Sequence, residues 1–537
     1  MTVVASSNTP DLALGDTLVR NATWFADTPA YVADGRALTH AQLLARAARL
    51  ASALAAAGVR RQDRVSVLGR NSIEFGEVLA AGQLSGIIIA TVNFRLAGPE
   101  IAAIVADASP RVLIADAEYL PLIASHRARF PSVELVVGIG APSGAEVVGY
   151  EDFIAAAPSD DPPYLARPED IALLVYTSGT TGRPKGCILG QRETRRAAET
   201  MNVEMRTGSE DRVLLVMPLF HIGAMFIGLG GHFRGGTSVL HRQFDPRAAL
   251  DSIAAERVTV LHLAPTMLQA LVDAAAERPD ALAGVATVIY SAAPITGPTL
   301  AAAMRAMPAA GFLNLYGQTE VVSTGLPREF HVADGDERSR RRLRSVGMPF
   351  PGNEVRIAAE DGGECPPGEA GEVCVRSAAM FRGYWNDSAS TAEVLRDGWC
   401  HTGDIGTLDS DGLLYLVDRK KDVIISGGEN IYSLEVEECL LAHPAVGAVA
   451  IIGVPDDKWG EAVSAVVVPA PGAVVEPEDL REHVRSQLAR YKAPRHVFVT
   501  DQLPVLATGK IDKKLLRARY TGGACDNPDR DNAEHSN

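Results

Sequence analysis

Residues 171–186 read IALLVYTSGTTGRPKG, and no other stretch of the chain is as informative about its fold. An apolar run typical of a buried β-strand passes directly into a loop of glycine, serine and threonine that carries Lys185. Glycines let the backbone approach a ligand, hydroxyl and N–H groups donate hydrogen bonds, and a lysine supplies counter-charge, so the loop predicts a phosphate site. Pro184 stands where the Walker A pattern has its second glycine, which excludes that motif. A mobile polar surface loop is the alternative interpretation.

Alternating apolar patterns on both sides of this loop predict an α/β fold. Residues 39–58 repeat apolar positions at three- and four-residue spacing and end in Gly58, which is typical of an amphipathic helix. The runs DRVSVLG (63–69), VTVLHL (258–263) and VATVIYS (285–291) are typical of short strands separated by helices. This alternation predicts helices layered on mostly parallel sheets.

The length of 537 residues exceeds what one hydrophobic core usually serves, so at least two domains are expected. Residues 1–420 are predicted to form a large domain of mixed and parallel sheets with helices, in which about 345–420 make a β-rich subdomain. Residues 421–520 mix β runs with helical patterns and predict a smaller α+β C-terminal domain of ordinary size. The segment 521–537 has almost no apolar content and is expected to be disordered.

Charge and cysteine usage exclude several classes of protein. A formal net charge of −15 argues against nucleic acid and anionic membranes as partners. No C-x-x-C occurs, which argues against a zinc or thioredoxin-like site, and scattered cysteines fit a reducing compartment. The N-terminus lacks the pattern of a signal peptide, and the apolar run Leu84 to Val92 is too short to span a bilayer. The cytoplasm is therefore the expected location, with no integral membrane segment.

Five segments, in order, resemble the signature motifs of the adenylate-forming superfamily of acyl-CoA synthetases, peptide-synthetase adenylation domains and beetle luciferases. They are YTSGTTGRPKG (176–186), YGQTE (316–320), WCHTGDIG (399–406), DRKKDVIISGGENIYSLEVE (418–437) and LPVLATGKIDK (503–513). The resemblance covers residues 15–518 and implies an AMP-forming acid–CoA ligase that uses ATP, Mg²⁺ and coenzyme A. It also implies that the C-terminal domain is mobile.

The resemblance implies specific roles for the residues of these motifs. ATP or AMP is expected to contact Thr177, Ser178, Gly179, Thr180, Thr181, Gly182, Lys185, Ala292, Ala293, Pro294, Tyr316, Gly317, Gln318, Thr319, Asp404, Arg419 and Lys510. Tyr316 is similar to the residue that packs on adenine, and Asp404 to the carboxylate that accepts the ribose hydroxyls. Glu320 and Thr177 resemble the Mg²⁺ ligands, since Mg²⁺ needs few carboxylates beside phosphate oxygens. A core tyrosine and a turn aspartate are the structural alternatives for Tyr316 and Asp404.

Catalysis is assigned by the same resemblance to Lys510, Glu320 and Thr319. Lys510 resembles the mobile lysine that offsets the repulsion between a carboxylate and the α-phosphate. Lys421 resembles the hinge about which the small domain rotates, and Ser426, Gly427 and Gly428 the passage for the pantetheine arm of CoA. A solvated surface lysine and an ordinary tight turn remain the alternatives for Lys510 and SGGEN.

The acid-binding pocket is predicted from Phe220, His221 and Met225, together with Gly317. Residues 214–235 contain no acidic side chain, so the ammonium of an ordinary amino acid would have no partner there. A hydrophobic carboxylic acid without an amino group is therefore expected, although fatty, aryl, alicyclic, polyketide-like and terpenoid acids all fit. His221 as a packed core histidine is the alternative.

Two departures from the common pattern bear on this pocket. Gln191 stands where a histidine is frequent and is expected to alter contacts near ATP or the acyl chain. Ser291 and Ala292 stand where glycines are common and are expected to narrow the channel beside adenine and the substrate.

Three functions fit these observations. A stand-alone acid–CoA ligase accounts for all five motifs, and an adenylation enzyme that loads a separate acyl carrier protein uses the same chemistry. A ligand-binding protein that has lost catalysis is opposed by the presence of Glu320, Asp404 and Lys510, and nothing points to a luciferase-type oxygenase. The oligomeric state is open, a homodimer included.

Overall fold

The computed structural model describes residues 12–178, 184–332, 335–426, 429–456, 458–506 and 511–521. The chain divides into two compact units. The first comprises Met1–Arg356, Cys374–Thr402 and Asp409–Tyr415, and the second Ile357–Val373, Gly403–Leu408 and Leu416–Asn537. Of the predicted disordered tail, all but Thr521 lies outside the described residues.

A seven-stranded sheet of the first unit carries the strand that leads into the glycine-rich loop. In spatial order its strands are Val148–Gly149, Leu135–Ile139, Val112–Asp116, Arg64–Leu68, Ile88–Val92, Ile171–Ser178 and Pro184–Gly190. All neighbours pair in parallel except the last two, which are antiparallel. The central strands are buried on both faces, as their near-continuous Val, Ile and Leu content requires.

A nine-stranded sheet of the first unit carries the second group of predicted site residues. Its strands, in order, are Met348–Pro349, Val322–Leu326, Gly311–Gly317, Thr287–Ser291, Val260–Leu263, Arg212–Leu215, Thr237–Leu240, Pro29–Ala33 and Arg36–Thr39. The pairing is parallel from Gly311–Gly317 to Pro29–Ala33 and antiparallel at both ends. Parallel neighbours end at the same edge of the sheet, and several predicted site residues follow these ends.

Helices cover the two sheets. They are Gly15–Trp24, His40–Ala56, Ile73–Ser85, Gly98–Ala108, Leu120–His126, Tyr150–Ala155, Gln191–Met205, Ile222–His232, Pro246–Ala255, Pro265–Ala275, Gly297–Ala306, Glu337–Arg342 and Ser388–Val394, with short 3-10 turns at Ala117–Tyr119, Arg127–Arg129, Pro279–Leu282 and Arg328–Phe330. The helix predicted at 39–58 begins with a capping box between Thr39 and Gln42. Gly58, at φ 84°, takes the left-handed conformation just beyond its end.

Five further strands follow along the chain. Four of them, Asn353–Ala358, Gly371–Ser377, Trp399–Leu408 and Leu414–Arg419, lie where the chain passes between the residue ranges of the two units, and Leu395–Arg396 lies within the first unit. Gly352, Gly371, Gly398 and Gly412 stand at or within two residues of the strand ends, where glycine favours turns.

The second unit contains a small sheet with helices. Val446–Asp456 and Gly460–Pro469 form a long antiparallel pair, extended by Ile424–Ser426, Glu429–Ile431 and the parallel strand His496–Val499. Its helices are Ser433–Leu441, Pro477–Gln487 and Lys513–Tyr520, with a 3-10 turn at Arg490–Lys492. Apolar clusters line both faces of the sheet, so the unit has a core of its own.

These observations confirm the predicted fold class, a large α/β part with parallel and mixed sheets and a smaller α+β part. Across the described ranges, no helix has both the length and the apolar character needed to cross a bilayer. The five cysteines that fall within these ranges are all free thiols.

Candidate active site

Two strands that flank the glycine-rich loop lie at one end of the seven-stranded sheet. Ile171–Ser178 and Pro184–Gly190 pair antiparallel, which sets Thr177 opposite Lys185. The loop residues predicted to contact ATP between them, Gly179, Thr180, Thr181 and Gly182, lie outside the described residues, as does the side chain of Ser178. The described part of the predicted phosphate site is therefore this facing pair.

Lys185 is held by neighbours from the segment FRGYWNDSAST, residues 381–391. Its Nζ donates to Ser390 Oγ at 2.7 Å and lies 5.1 Å from the ring centroid of Tyr384. A cation above an aromatic face is attracted by the ring quadrupole. An ammonium carries three donors, so these contacts are compatible with binding a phosphate oxygen as well.

Glu320 follows strand Gly311–Gly317 and contacts the same segment. The hydroxyl of Tyr384 donates to Glu320 Oε1 at 2.7 Å, and the backbone N–H of Phe381 donates to the carbonyl oxygen of Glu320 at 2.8 Å. Burial, and next the charge of Glu320, raise the pKa of Tyr384 far above its ordinary value. The phenol therefore stays protonated and acts as a donor that fixes one oxygen of the carboxylate.

The thiol of Cys187 joins the two strands of the loop to this carboxylate. Cys187 is fully buried, and its side chain interacts with both Glu320 and the hydroxyl of Thr177. Burial, followed by the negative charge of Glu320, raises the pKa of this thiol well above its ordinary value. The two predicted Mg²⁺ ligands, Thr177 and Glu320, thus contact one common neutral side chain.

The donor set fits magnesium better than a metal held wholly by protein. Within the ranges that the structure describes, no group of three or more His, Cys, Asp or Glu side chains could hold a metal ion. One carboxylate and one hydroxyl are sufficient for Mg²⁺, which keeps several waters and takes substrate phosphate oxygens as ligands. Glu320 and Thr177 therefore fit a Mg²⁺ ion that accompanies a nucleotide.

The motif YGQTE ends one strand of the nine-stranded sheet. Tyr316 is buried, with 8% of its surface exposed, and a Cβ added to Gly317 would lie 2.8 Å from the carbonyl oxygen of Val321. Only glycine fits that close approach. Gln318 closes the turn, since its backbone N–H donates to the same carbonyl at 2.8 Å and its amide donates to Thr402 O at 2.8 Å. Thr319 is partly exposed.

The segment Ala292–Pro294 follows the neighbouring parallel strand. Ser291 pairs with Leu315, so this segment and YGQTE leave the sheet at the same edge. Ligands of α/β sheets bind at such carboxyl ends. All three residues are exposed, and Ala292 has φ 72°, a left-handed conformation that costs a non-glycine residue about 1–2 kcal/mol.

The predicted acyl segment precedes and begins the helix Ile222–His232. Phe220 and Met225 are buried, whereas His221, which occupies the N-cap, is half-buried. The ring of Phe220 lies 4.5 Å from that of His221 and meets Phe94 edge-on at 5.3 Å, measured between centroids. The segment therefore presents a buried aromatic wall with a partly exposed imidazole.

The predicted ribose-binding residues belong to the second unit and contact each other. Arg419 Nε lies 2.8 Å from Asp404 Oδ1, and the aspartate is buried while the arginine is partly exposed. A buried carboxylate held by a guanidinium is pre-oriented to accept hydrogen bonds. The geometry brings these two predicted residues together, and their role at a ribose stays a prediction.

The remaining predicted site residues belong to the residue range of the second unit. Lys421 is exposed in a turn, and Ser426 ends the strand Ile424–Ser426. Gly427, Gly428 and Lys510 lie outside the described residues. The helix that follows Lys510 is tied down by Lys513, whose Nζ contacts Glu437 Oε1 at 2.7 Å and Ser433 Oγ at 2.6 Å.

Gln191 differs from its expected role. The side chain is fully buried, where its Oε1 accepts from Leu14 N–H and its Nε2 donates to Gly82 O, both at 3.2 Å. These described contacts join three helices of the first unit, so we assign Gln191 to packing. Three contact residues, Tyr384, Cys187 and Ser390, are absent from the sequence predictions. No spacing or composition signal marks them, because they reach Glu320 and Lys185 only through the tertiary fold.

Comparison with known proteins gives consistent matches along the chain. Residues 18–385 match the family of AMP-binding enzymes, and residues 435–510 match the AMP-binding enzyme C-terminal domain. A feruloyl-CoA synthase from an Amycolatopsis species is 40% identical over 514 residues, which cover 94% of this chain and 99% of that protein. A fatty acid–[acyl-carrier-protein] ligase, ScoC of Streptomyces coeruleorubidus, is 35% identical over 518 residues, covering 94% and 97%. The solved structure of the amide bond synthetase McbA from Marinactinospora thermotolerans is similar with a TM-score of 0.84 and 33% identity, covering 95% and 100%.

Proposed function

The chain belongs to the AMP-binding enzyme family and is an AMP-forming acyl-CoA synthetase, and from that premise we propose that its substrate is a hydrophobic carboxylic acid without an amino group. Such an enzyme consumes ATP with Mg²⁺ and uses CoA as a co-substrate. The observation that carries the proposal is the buried apolar segment of Phe220 and Met225, in a stretch, residues 214–235, that contains no acidic side chain. The adenylation chemistry is supported by the cluster in which Thr177, Lys185 and Glu320 come together through Cys187 and Tyr384. ATP and CoA as substrates are in keeping with the cytoplasm as the location.

In the first half-reaction a carboxylate oxygen of the acid attacks the α-phosphorus of ATP. The bond to pyrophosphate breaks and an acyl-adenylate forms. Lys185 and the hydroxyl of Thr319 are proposed to bind phosphate oxygens, and Lys510 to offset the repulsion between the two anions. A lysine about 4 Å away contributes up to ~4 kcal/mol at an effective dielectric constant near 20.

Glu320 and Thr177 are proposed to hold Mg²⁺, which when bound offsets negative charge on the departing pyrophosphate. Tyr384 fixes the orientation of the Glu320 carboxylate through its hydroxyl. Tyr316 is proposed to pack against adenine, while Asp404 accepts the ribose hydroxyls with Arg419 beside it.

In the second half-reaction the sulfur of CoA attacks the acyl carbon. The bond to AMP breaks, the thiol proton passes to water, and the thioester forms. Ser426, Gly427 and Gly428 are proposed to let the pantetheine arm pass, and a rotation about Lys421 to exchange Lys510 for these residues. A few backbone dihedrals at a domain boundary are sufficient for such a motion.

The acid is proposed to bind against Phe220, His221 and Met225, with Gly317 at its carboxylate end. Burial of apolar surface stabilises such a substrate by about 25 cal/mol per Å². An α-ammonium would lose its hydration without a partner, since residues 214–235 contain no acidic side chain. This argument favours fatty, aryl or alicyclic acids over amino acids.

A carrier protein is the alternative acceptor. ScoC, a ligase that acts on an acyl carrier protein, is 35% identical to this chain, and pantetheine is common to CoA and to such carriers. A competition between CoA and a phosphopantetheinylated carrier for the same acyl-adenylate would decide between them.

The test is a panel of acids scored first for ATP–pyrophosphate exchange and then for thioester by mass spectrometry. We expect ATP–pyrophosphate exchange with hydrophobic acids and formation of their CoA thioesters. With standard amino acids we expect neither exchange nor thioester. Exchange with amino acids alone would overturn the proposed substrate class. If the thioester forms on the carrier protein but not on CoA, the acyl acceptor is the carrier protein and not CoA.

A further inference from the structure

Ser291 and His262 form a polar pair at the ends of two adjacent parallel strands, Thr287–Ser291 and Val260–Leu263. His262 Nε2 lies 2.9 Å from Ser291 Oγ. The imidazole is buried, with 1% of the residue exposed, whereas Ser291 is partly exposed. The hydroxyl therefore forms the accessible end of the pair, and the imidazole lies behind it.

The pair sits between the two segments assigned to the acid and to AMP. A Cβ added to Gly223, in the first turn of helix Ile222–His232, would lie 3.6 Å from His262 Cε1. In the sequence that glycine lies between His221 and Met225 of the predicted acyl segment. The other member of the pair, Ser291, directly precedes Ala292, the first residue of the segment proposed to contact AMP. A substrate that extends from the predicted acyl segment to the α-phosphate would pass this pair.

The pair has hydrogen-bonding capacity that the described part of the chain does not use. His262 Nδ1 is buried and has no hydrogen-bond partner among the described residues. Burial lowers the pKa of His262 to about 4, so the ring is neutral at pH 7. A neutral imidazole has one donor and one acceptor nitrogen, and a serine hydroxyl has one donor and two acceptor sites. Ser291 therefore keeps at least one site for a ligand, whichever tautomer His262 adopts.

A ligand hydroxyl group can bind Ser291 in either tautomer of His262, because a hydroxyl both donates and accepts a hydrogen bond. If His262 Nε2–H donates to Ser291 Oγ, the serine proton is available to a ligand oxygen. If Nε2 accepts the serine proton, Oγ accepts from a ligand hydroxyl. The neutral pair itself supplies no counter-charge for a charged group.

We propose that Ser291, positioned by His262, binds a hydroxyl group on the acid, so that the preferred substrates are hydroxylated hydrophobic carboxylic acids. This inference rests on the proposed function and names a substrate subclass within it. Ser291 contacts the substrate, and His262 acts through Ser291 by fixing the direction of its hydroxyl.

The test uses matched pairs of acids that differ by one hydroxyl, such as 4-hydroxycinnamate with cinnamate, 4-hydroxyphenylacetate with phenylacetate, and hydroxylated with plain fatty acids. For each pair kcat/KM of ATP–pyrophosphate exchange is measured with the wild type and with Ser291→Ala. The wild type is expected to prefer the hydroxylated member of at least one pair by about tenfold, the range of one buried hydrogen bond. Ser291→Ala is expected to remove this preference, mainly by raising KM for the hydroxylated acid.

Ser252→Ala provides the matched control, because Ser252 Oγ lies 2.8 Å from His241 Nε2 in a second Ser–His pair of the same unit. It is expected to leave the preference unchanged. No preference in the wild type for any pair, or a preference that survives in Ser291→Ala, would overturn the inference while leaving the proposed function intact. Equal losses for both members of a pair would assign Ser291 a structural role and likewise overturn it. Absence of exchange with every acid would instead be a failure of the proposed function.

Discussion

Tyr384 and Glu320 show how one hydrogen bond prepares a metal ligand. The phenol is buried, stays protonated and donates to a single carboxylate oxygen, so the other oxygen keeps a defined direction. A ligand whose orientation is fixed in advance loses less entropy on binding than a freely rotating one. The same ring lies under the ammonium of Lys185, which links the predicted phosphate loop to the predicted Mg²⁺ ligand.

We therefore predict that Tyr384→Phe weakens Mg²⁺ binding while keeping the ring beneath Lys185. Loss of a hydrogen bond to a charged group costs about 1.5–3 kcal/mol, so the Mg²⁺ concentration for half-maximal exchange should rise about tenfold or more. Calorimetric titration of ATP at several Mg²⁺ concentrations gives a second readout. Tyr150→Phe is the matched control, since the buried Tyr150 hydroxyl donates to Glu77 Oε2 at 2.8 Å outside the predicted site. An unchanged Mg²⁺ dependence in Tyr384→Phe would refute the positioning role.

Lys510 is assigned to the first half-reaction only, because only there do two anions approach each other. We predict that Lys510→Ala lowers the rate of acyl-adenylate formation by about 10²–10³, the range for removing one group that stabilises developing charge. Transfer to CoA from supplied acyl-adenylate should change little. Single-turnover assays separate the two steps, and Lys514→Ala, an exposed lysine of the following helix, is the control. Similar losses in both steps would remove this assignment.

At the level of secondary structure, much could be predicted from local patterns. The helix predicted at 39–58 is observed at His40–Ala56, and the run VATVIYS contains strand Thr287–Ser291. Both predictions depend on spacing and capping, which are properties of neighbouring residues. Such features determine where a helix or strand begins and ends, and the order of helices and strands along the chain indicates the fold class.

The contacts around Glu320 could not be predicted in this way. Cys187, Glu320 and Tyr384 come from three separate parts of the chain, and their contacts depend on strand register and on the path of segment 381–391. Motif resemblance suggested Glu320 as a ligand, but nothing in the sequence pointed to the two side chains that hold it. Gln191 is a second example. Its position after the phosphate loop suggested a contact near ATP or the acyl chain, whereas its observed contacts with Leu14 and Gly82 depend on the tertiary fold.

The turn that contains Lys421 connects strand Leu414–Arg419 to Ile424–Ser426 and is held on both sides within the second unit. Asp418 accepts from Ser433 Oγ at 3.0 Å, and Asp422 accepts from Arg517 at 2.9 Å. Lys421 itself is exposed, and a rotation there requires freedom of its backbone dihedrals.

We predict that Lys421→Pro permits adenylation but slows thioester formation at least about tenfold. Proline fixes φ near −65° and also restricts the preceding residue, so the turn would be locked in one state. Lys421→Ala keeps the backbone free and should retain both half-reactions. Rapid-quench measurement of each half-reaction is the readout. Thioester formation at the wild-type rate in the proline variant would show that the hinge lies elsewhere.

For the molecule as a whole, buried neutral histidines couple folding to pH. His232 Nε2–H donates to the carbonyl oxygen of Ala30 at 2.8 Å, and burial lowers the pKa of His232 to about 3. Burial also lowers the pKa of His262 and of His331 to about 4, and it lowers the pKa values of His40 and His241. The unfolded chain therefore binds more protons than the folded chain between those values and the ordinary histidine pKa near 6.5.

Because the folded-state pKa values are depressed, the stability these histidines confer is present above pH 6.5 and is lost as the pH falls toward 4 and 3. We predict a loss of about 1.4 kcal/mol per pH unit below 6.5 for each such histidine. Urea unfolding midpoints at pH 7.5, 6.5 and 5.5 measure it, in a range above the ordinary titration of carboxylates. His232→Gln should reduce the pH dependence by its own share of about 1.4 kcal/mol per pH unit. His496→Gln, at an exposed position, should leave the pH dependence unchanged. A pH dependence that is equally steep in His232→Gln would mean that groups other than the buried histidines control acid stability, because removing a titrating group must remove its share of the proton uptake on unfolding.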